Sequence, residues 1–371
     1  MARGIALAVQ RQGPRLDNRN ISGSHDLIVP ADLRRDLPLS DKAQNTVFHG
    51  RRVLVNCMTG RDGRIILVVG PCSIHDIDAA KEYAQRLYAL SQQVKDVFTV
   101  VMRVYFEKPR TRKGWRGLIY EPRLDGKENI SDGLRMAREL LVFNAEMGLL
   151  SGTEFVDTFV PQYISDAIAW AAIGARTAES PLHRQMASGL SMLTGNKNTT
   201  QGSIKIAIDA MIAAGEPQWF YGPDMETGKG SVFLTTGNVN THLVLRGGQN
   251  SPNYHARNVR EAVILLSEEG LHQELGIDCS HDNTLVEIEG KMVKDYSRQG
   301  TVFNDVIGQI RGGNRSIKLL MLESNLLQGS QRIPAPKDLS RLVRGVSVTD
   351  GCIGWEETAE LILHAHKLLR Q

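Results

Sequence analysis

From residue 64 onward the chain repeats one pattern. A short apolar, β-branched run ends in a polar tip, and an amphipathic stretch usually follows. The runs are IILVVG, FTVVMRVY, LLSGTEFV, IAWAAIGAR, GLSMLTGNK, HLVLRGG, LGIDCSH and KLLMLES. Runs that are apolar at consecutive positions predict strands buried on both faces. Between most of them apolar residues recur at steps of three and four. Ile77, Ala80, Tyr83, Ala84, Leu87 and Leu90 make one such helical face, with Asp76 or Asp78 as its cap. IKIAIDAMIAAG predicts another helix, stopped at Gly215. Eight strands alternating with helices predict a closed parallel α/β architecture, the (β/α)8 TIM barrel. A doubly wound open sheet is the structural alternative, because alternation does not report closure. One segment breaks the pattern: QWFYGPDMETGKGSVFLTTGN carries two β-rich pieces around Gly-rich turns and predicts an inserted hairpin near 218–238. Residues 1–25, rich in Arg, Gly, Asn and Ser, are expected to form a disordered tail. Residues 26–60 form an N-terminal extension, and 61–371 the barrel.

The 371 residues accommodate a barrel of about 250 residues with such additions. A net charge of +3 is too balanced for a nucleic-acid or polybasic membrane-binding protein. No apolar run approaches the ~18 residues of a membrane span. The apolar core of MARGIALAVQ is too short for a secretory signal. Four scattered cysteines do not form a disulfide framework and indicate a reducing compartment, so a cytoplasmic protein is expected.

Barrel chemistry collects where the strands end. The strand tips here are Cys72, Arg103, Glu154, Arg176, Lys197, Arg246, His281 and Glu323, with Asp350 later in the chain. Cys72, His281, Glu323 and Asp350 form a mixed thiolate, imidazole and carboxylate set. Such a set suits a divalent first-row ion (Mn, Fe, Co or Zn) better than Mg or Ca. Taken singly each has a plainer explanation: a buried small hydrophobe for Cys72, a core or loop histidine for His281, and solvated or capping carboxylates for the other two. Lys108, Arg110 and Thr111 follow the second strand, and with Arg103, Arg176, Lys197 and Arg246 they imply a heavily anionic ligand. The stretch KPRTRKGWRG alone is also compatible with a solvated basic loop. Together these groups point to metal-assisted chemistry on phosphorylated small molecules.

The blocks GPCSIHD, MRVYFEKPRTRKGWRGLI, GTEFVD, PQY, AIGARTAES, HRQMASGLS, LRGG, IDCSH, LES and SVTDGCIGWE resemble the type I 3-deoxy-arabino-heptulosonate 7-phosphate (DAHP) synthases, in order, from about residue 40 to the C-terminus. The resemblance implies a (β/α)8 barrel that condenses phosphoenolpyruvate with erythrose 4-phosphate and releases phosphate, the first step of the shikimate pathway. It implies a divalent metal, Mn first and Co, Fe or Zn as alternatives, on Cys72, His281, Glu323 and Asp350. It implies phosphoenolpyruvate on Arg103, Lys108, Arg176, Lys197 and Arg246, with Glu154 and the Ala175 backbone nearby. The aldose phosphate would meet Arg110 and Thr111, close to Asp350. Lys108 is the candidate proton donor, with water at the metal as its rival. The family also implies a homodimer or homotetramer with the extension at a subunit interface.

The chain departs from the family where it reads GNKN (Gly195 to Asn198) for GFKN, IDCSHDNT for IDFSHANS, and Gly222 for a serine in the inserted hairpin. Asp282 thereby adds a charge beside His281. These departures suggest a paralogue with weak or no feedback inhibition by Phe, Tyr or Trp, serving specialised aromatic metabolism. The alternatives are a synthase for a modified aldose phosphate, the related octulosonate 8-phosphate synthase activity, and a non-catalytic barrel that senses metabolites.

Overall fold

The structure is a computed structural model that describes residues 16–110, 114–334 and 338–370. Eight strands form the barrel: β1 (Ile65–Gly70), β2 (Phe98–Arg103), β3 (Leu150–Glu154), β4 (Trp170–Ile173), β5 (Leu193–Lys197), β6 (Thr241–Leu245), β7 (Leu275–Asp278) and β8 (Ile317–Glu323). Each pairs in parallel with its neighbours in sequence, and β1 closes on β8. Closure settles the choice between barrel and open sheet. It also explains the unbroken apolar runs, since helices cover the outer face and side chains fill the inside. The helix Ile77–Val94 is capped by Asp76, whose carboxylate accepts from the Ala79 amide at 2.9 Å, and it buries the face read from the sequence. The helix Ile204–Gly215 stops at its glycine.

The extension is helical at Pro30–Asp36 and Asp41–Met58, while residues 16–29 carry no helix or strand. Residues 1–15 of the expected tail lie outside the described residues. Leu54, Cys57 and Met58 of the second helix pack with Ile66, Val68, Val101, Trp170, Leu193 and Leu319, so this helix stoppers the end of the barrel where the strands begin. The inserted hairpin pairs Trp219–Pro223 with Gly230–Leu234. A second hairpin, Leu285–Ile288 with Lys291–Lys294, follows β7, where the sequence reading placed none. Its two-residue turn, Glu289-Gly290, has φ of 50° and 75°, the signature of a type I′ turn. No helix among the described residues is long and apolar enough to cross a membrane.

Candidate active site

Parallel closure points every strand's C-terminal end the same way. Five strands terminate near the rim on an ionisable residue: Arg103, Glu154, Lys197, Asp278 and Glu323. Cys72 follows β1 through Gly70-Pro71, and Arg246 follows β6 directly. A narrow pocket of about 80 Å³ at this rim is lined among others by Arg103, Lys108, Glu154, Arg176, Lys197, Arg246, His281 and Asp350. A wider cavity of about 1150 Å³ shares Lys108, Arg110, Ala175, Arg176 and Arg246. Thr111 lies outside the described residues.

Ligand atoms of Cys72, Glu323 and Asp350 lie within 4.8 Å of one another. His281 stands beside this group, its Nε2 3.7 Å from Glu323 Oε1. Its Nδ1 lies 2.8 Å from Asp278 Oδ2, which leaves Nε2 as the nitrogen turned toward the carboxylate. His281 adopts φ of 53°, a left-handed conformation that costs a non-glycine residue energy. A thiol, two carboxylates and an oriented imidazole form a donor set that fits a divalent transition metal. Glu323 is buried and pinned, with Arg103 Nη2 donating to Oε1 at 2.7 Å and Ser280 Oγ to Oε2 at 2.9 Å. Burial would raise its pKa, but His281, Arg103 and Lys108 outweigh burial and hold it below the usual carboxylate range. Burial, reinforced by Glu323, pushes the Cys72 thiol up.

The cations divide by how they are engaged. Arg103 also donates to Pro71 O at 3.1 Å and stacks over the Tyr105 ring, so its guanidinium is held in place where it lines the narrow pocket. Lys197 Nζ binds Asp278 Oδ2 at 2.9 Å. Burial disfavours the Asp278 charge, yet His281, Lys197 and Arg103 hold its pKa well below normal. Lys108 Nζ reaches Cys72 Sγ at 3.1 Å and Cys72 O at 3.3 Å. Burial opposes its charge, but Cys72, Glu323 and Asp350 raise its pKa overall, so it stays protonated at neutral pH. Arg176 makes no ion pair among the described residues and faces the cavity, free to take an anion. Gly174 lets the Glu154 carboxylate lie against the β4 tip, where a Cβ would stand 2.1 Å from Oε1.

Asp278 and Lys294 belong to the site and were not read from the sequence. Asp278 ends an apolar run, the same signal that marks Glu154. Lys294 arrives on the second hairpin. The carboxylate of Asp282 contacts Arg246 Nη1 and accepts from Lys294 Nζ at 2.9 Å. Cys352 Sγ accepts from the Cys72 amide at 3.4 Å, while Cys279 lies in the layer between strands and helices. All four cysteines are free.

The family model described as DAHP synthetase I family matches residues 36–363. The chain belongs to that family. It is 45% identical over 352 residues to the Tyr-sensitive phospho-2-dehydro-3-deoxyheptonate aldolase of Salmonella typhimurium, covering 95% of this chain and 96% of that protein. It is 44% identical over 346 residues to the Phe-sensitive enzyme of Escherichia coli, covering 93% and 95%. Among solved structures, the phospho-2-dehydro-3-deoxyheptonate aldolase of Francisella tularensis superposes with a TM-score of 0.89 at 40% identity, covering 95% of this chain and 99% of that one. The family's chemistry, a metal-dependent reaction of phosphoenolpyruvate with erythrose 4-phosphate, therefore frames the rim of this barrel.

Proposed function

We propose that the chain condenses phosphoenolpyruvate with erythrose 4-phosphate to give DAHP and phosphate, the entry to aromatic biosynthesis. The observation that carries this is the juxtaposition, at one barrel rim, of the Cys72, Glu323 and Asp350 donor group with the protonated Lys108 and with Arg176, which has no ion-pair partner among the described residues. Arg176, Lys197 and Arg246 take the phosphate and carboxylate of phosphoenolpyruvate in the narrow pocket, and Arg110 takes the aldose phosphate in the wider one. Cys72, His281, Glu323 and Asp350 would hold the metal, which would supply Lewis acidity to the aldehyde when bound. Carbon 3 of phosphoenolpyruvate bonds to the aldehyde carbon, and Lys108 Nζ gives its proton to the alkoxide oxygen. Water then adds at carbon 2, and the C–O bond to phosphate breaks. Fixing two anions side by side in this way is worth about 7–11 kcal/mol in favourable cases.

Manganese is the proposed ion, and the cytoplasm the proposed location. The exposed Trp219, Tyr221, Val232 and Leu234 of the inserted hairpin, together with exposed Phe48 of the extension, support assembly of copies into a homodimer or homotetramer. Gly222 in that hairpin supports weak or absent inhibition by aromatic amino acids. One assay tests the reaction: loss of phosphoenolpyruvate absorbance with erythrose 4-phosphate, in chelator and then with added Mn. Turnover is expected only with metal, and light scattering on the same sample should exceed the mass of one chain. Absence of turnover with Mn, Co, Fe and Zn alike overturns the proposal, and strong inhibition by Phe, Tyr or Trp overturns the feedback part alone.

A further inference from the structure

Arg246 stands where the proposed reaction needs a free cation, yet its Nη1 is closed against the Asp282 carboxylate. Asp282 cannot simply retreat. Its amide donates to Arg246 O at 3.1 Å. Its carbonyl carbon is pressed on Gly247, which has φ of 81° and where a Cβ would meet that carbon at 2.3 Å. Arg246 itself is fixed by its amide, which donates to Asn198 Oδ1 at 2.8 Å. The Arg246 Nε is buried with no partner among the described residues, a donor left over for a ligand. A carboxylate anchored beside a phosphate-binding arginine competes with phosphate and repels it.

The second hairpin answers this. Lys294 pairs with Leu285 at the hairpin's base, and the Asp295 amide donates to Thr284 O at 3.2 Å, so the base is tied to the loop that carries Asp282. From there Lys294 Nζ binds the other Asp282 oxygen at 2.9 Å. Leu285, Met292 and Lys294 of the hairpin line the same cavity as Arg176 and Arg246. The charges of Arg246, Asp282 and Lys294 sum to that of one cation. Without Lys294 they sum to none.

We propose that Lys294 is a positioning residue for the anionic substrate, neutralising Asp282 where it stands so that Arg246 can exchange that carboxylate for phosphate. This rests on the reaction proposed above. A phosphate entering the pocket takes Arg246, while Asp282 stays neutralised by Lys294.

The test compares the parent with Lys294→Met, Asp282→Asn and the double variant. Lys294 is half exposed, so its loss leaves the fold intact, checked by thermal unfolding. Lys294→Met should raise KM for phosphoenolpyruvate roughly tenfold with little change in kcat. The double variant should return to within about threefold of the parent, because the net charge is restored. Asp282→Asn alone should bind as tightly as the parent or more so. An unchanged KM in Lys294→Met overturns the proposal. A raised KM that the second substitution does not rescue also overturns it, since Lys294 would then touch substrate or serve structure alone. Calorimetric titration of the four proteins with phosphoenolpyruvate reads binding without turnover, so failure of the reaction and failure of the Lys294 role are told apart.

Discussion

Glu107 shows how a residue outside the reacting set can govern the rim. It precedes Lys108, is buried, and accepts from the Val156 amide at 3.2 Å and the Asp157 amide at 3.0 Å, lashing the loop after β2 to the loop after β3. Burial pushes its pKa up to about 8; the Val156 and Asp157 amides pull against this, and the Asp157 carboxylate adds to it. A carboxyl raised on folding contributes stability that is full below its unfolded pKa, near 4.5, and is lost as pH rises through about 8. Glu107→Gln removes that titration. Its stability relative to the parent should therefore improve from pH 5 to pH 8, by on the order of a few kcal/mol at most. Denaturant unfolding of both proteins at the two pH values checks this, and an offset independent of pH would refute it. Most site residues were legible in the sequence because a charge ending a buried apolar run has few other reasons to be there. Which side chains pair with which was not legible. Arg103 reads as a ligand-binding cation, and the partners that hold it beside the narrow pocket, Glu323, Pro71 and Tyr105, are set by barrel register. Asn196 is buried with neither amide atom paired among the described residues, and nothing in the structure explains it.

Among the elements, the two hairpins were unequally visible. The inserted one announces itself through aromatic residues and Gly-rich turns. The one at 285–294 has four-residue strands and the turn Glu289-Gly290, where glutamate conceals a position that wants Asn or Gly. LVEI and KMVK do not alternate cleanly between apolar and polar, so only the β-branched Val286, Ile288 and Val293 hinted at strands. Glu289→Asn suits the left-handed conformation better and should stabilise the hairpin by a few tenths of a kcal/mol to about 1 kcal/mol. Slower amide exchange at Val286 and Val293 would register it, and faster exchange would count against the turn assignment. The barrel strands were legible for the opposite reason. Burial on both faces demands continuous apolar runs, and no side-chain pairing has to be known to see them.

At the scale of the whole molecule, the extension is fastened by arginines. Arg138, fully buried, donates to Leu37 O at 2.8 Å, to Tyr163 O at 3.2 Å, and to both oxygens of Asp166 at 2.8 and 3.0 Å. Arg51 donates to Ile168 O and Ser165 O at 2.9 and 2.6 Å. Arg138→Met would leave two carbonyls and a carboxylate without their donor. Partial exposure of Asp166 softens the loss, so a cost of about 2–4 kcal/mol is expected, read as a lower denaturation midpoint. A midpoint unchanged within error would show that the clamp carries no weight. Alternation of strands and helices gave the barrel, but nothing local in residues 41–58 says that the helix closes its floor; that follows only from the assembled shape.

A barrel stoppered at its floor by Leu54, Cys57 and Met58 leaves its site to be reached from the rim. The narrow pocket lies beneath the wide one, and Lys108, Arg110, Arg176 and Arg246 line both. A molecule seated in the wide cavity would therefore cover one held in the narrow pocket and share its cations, so the two occupants would constrain each other's arrival and departure.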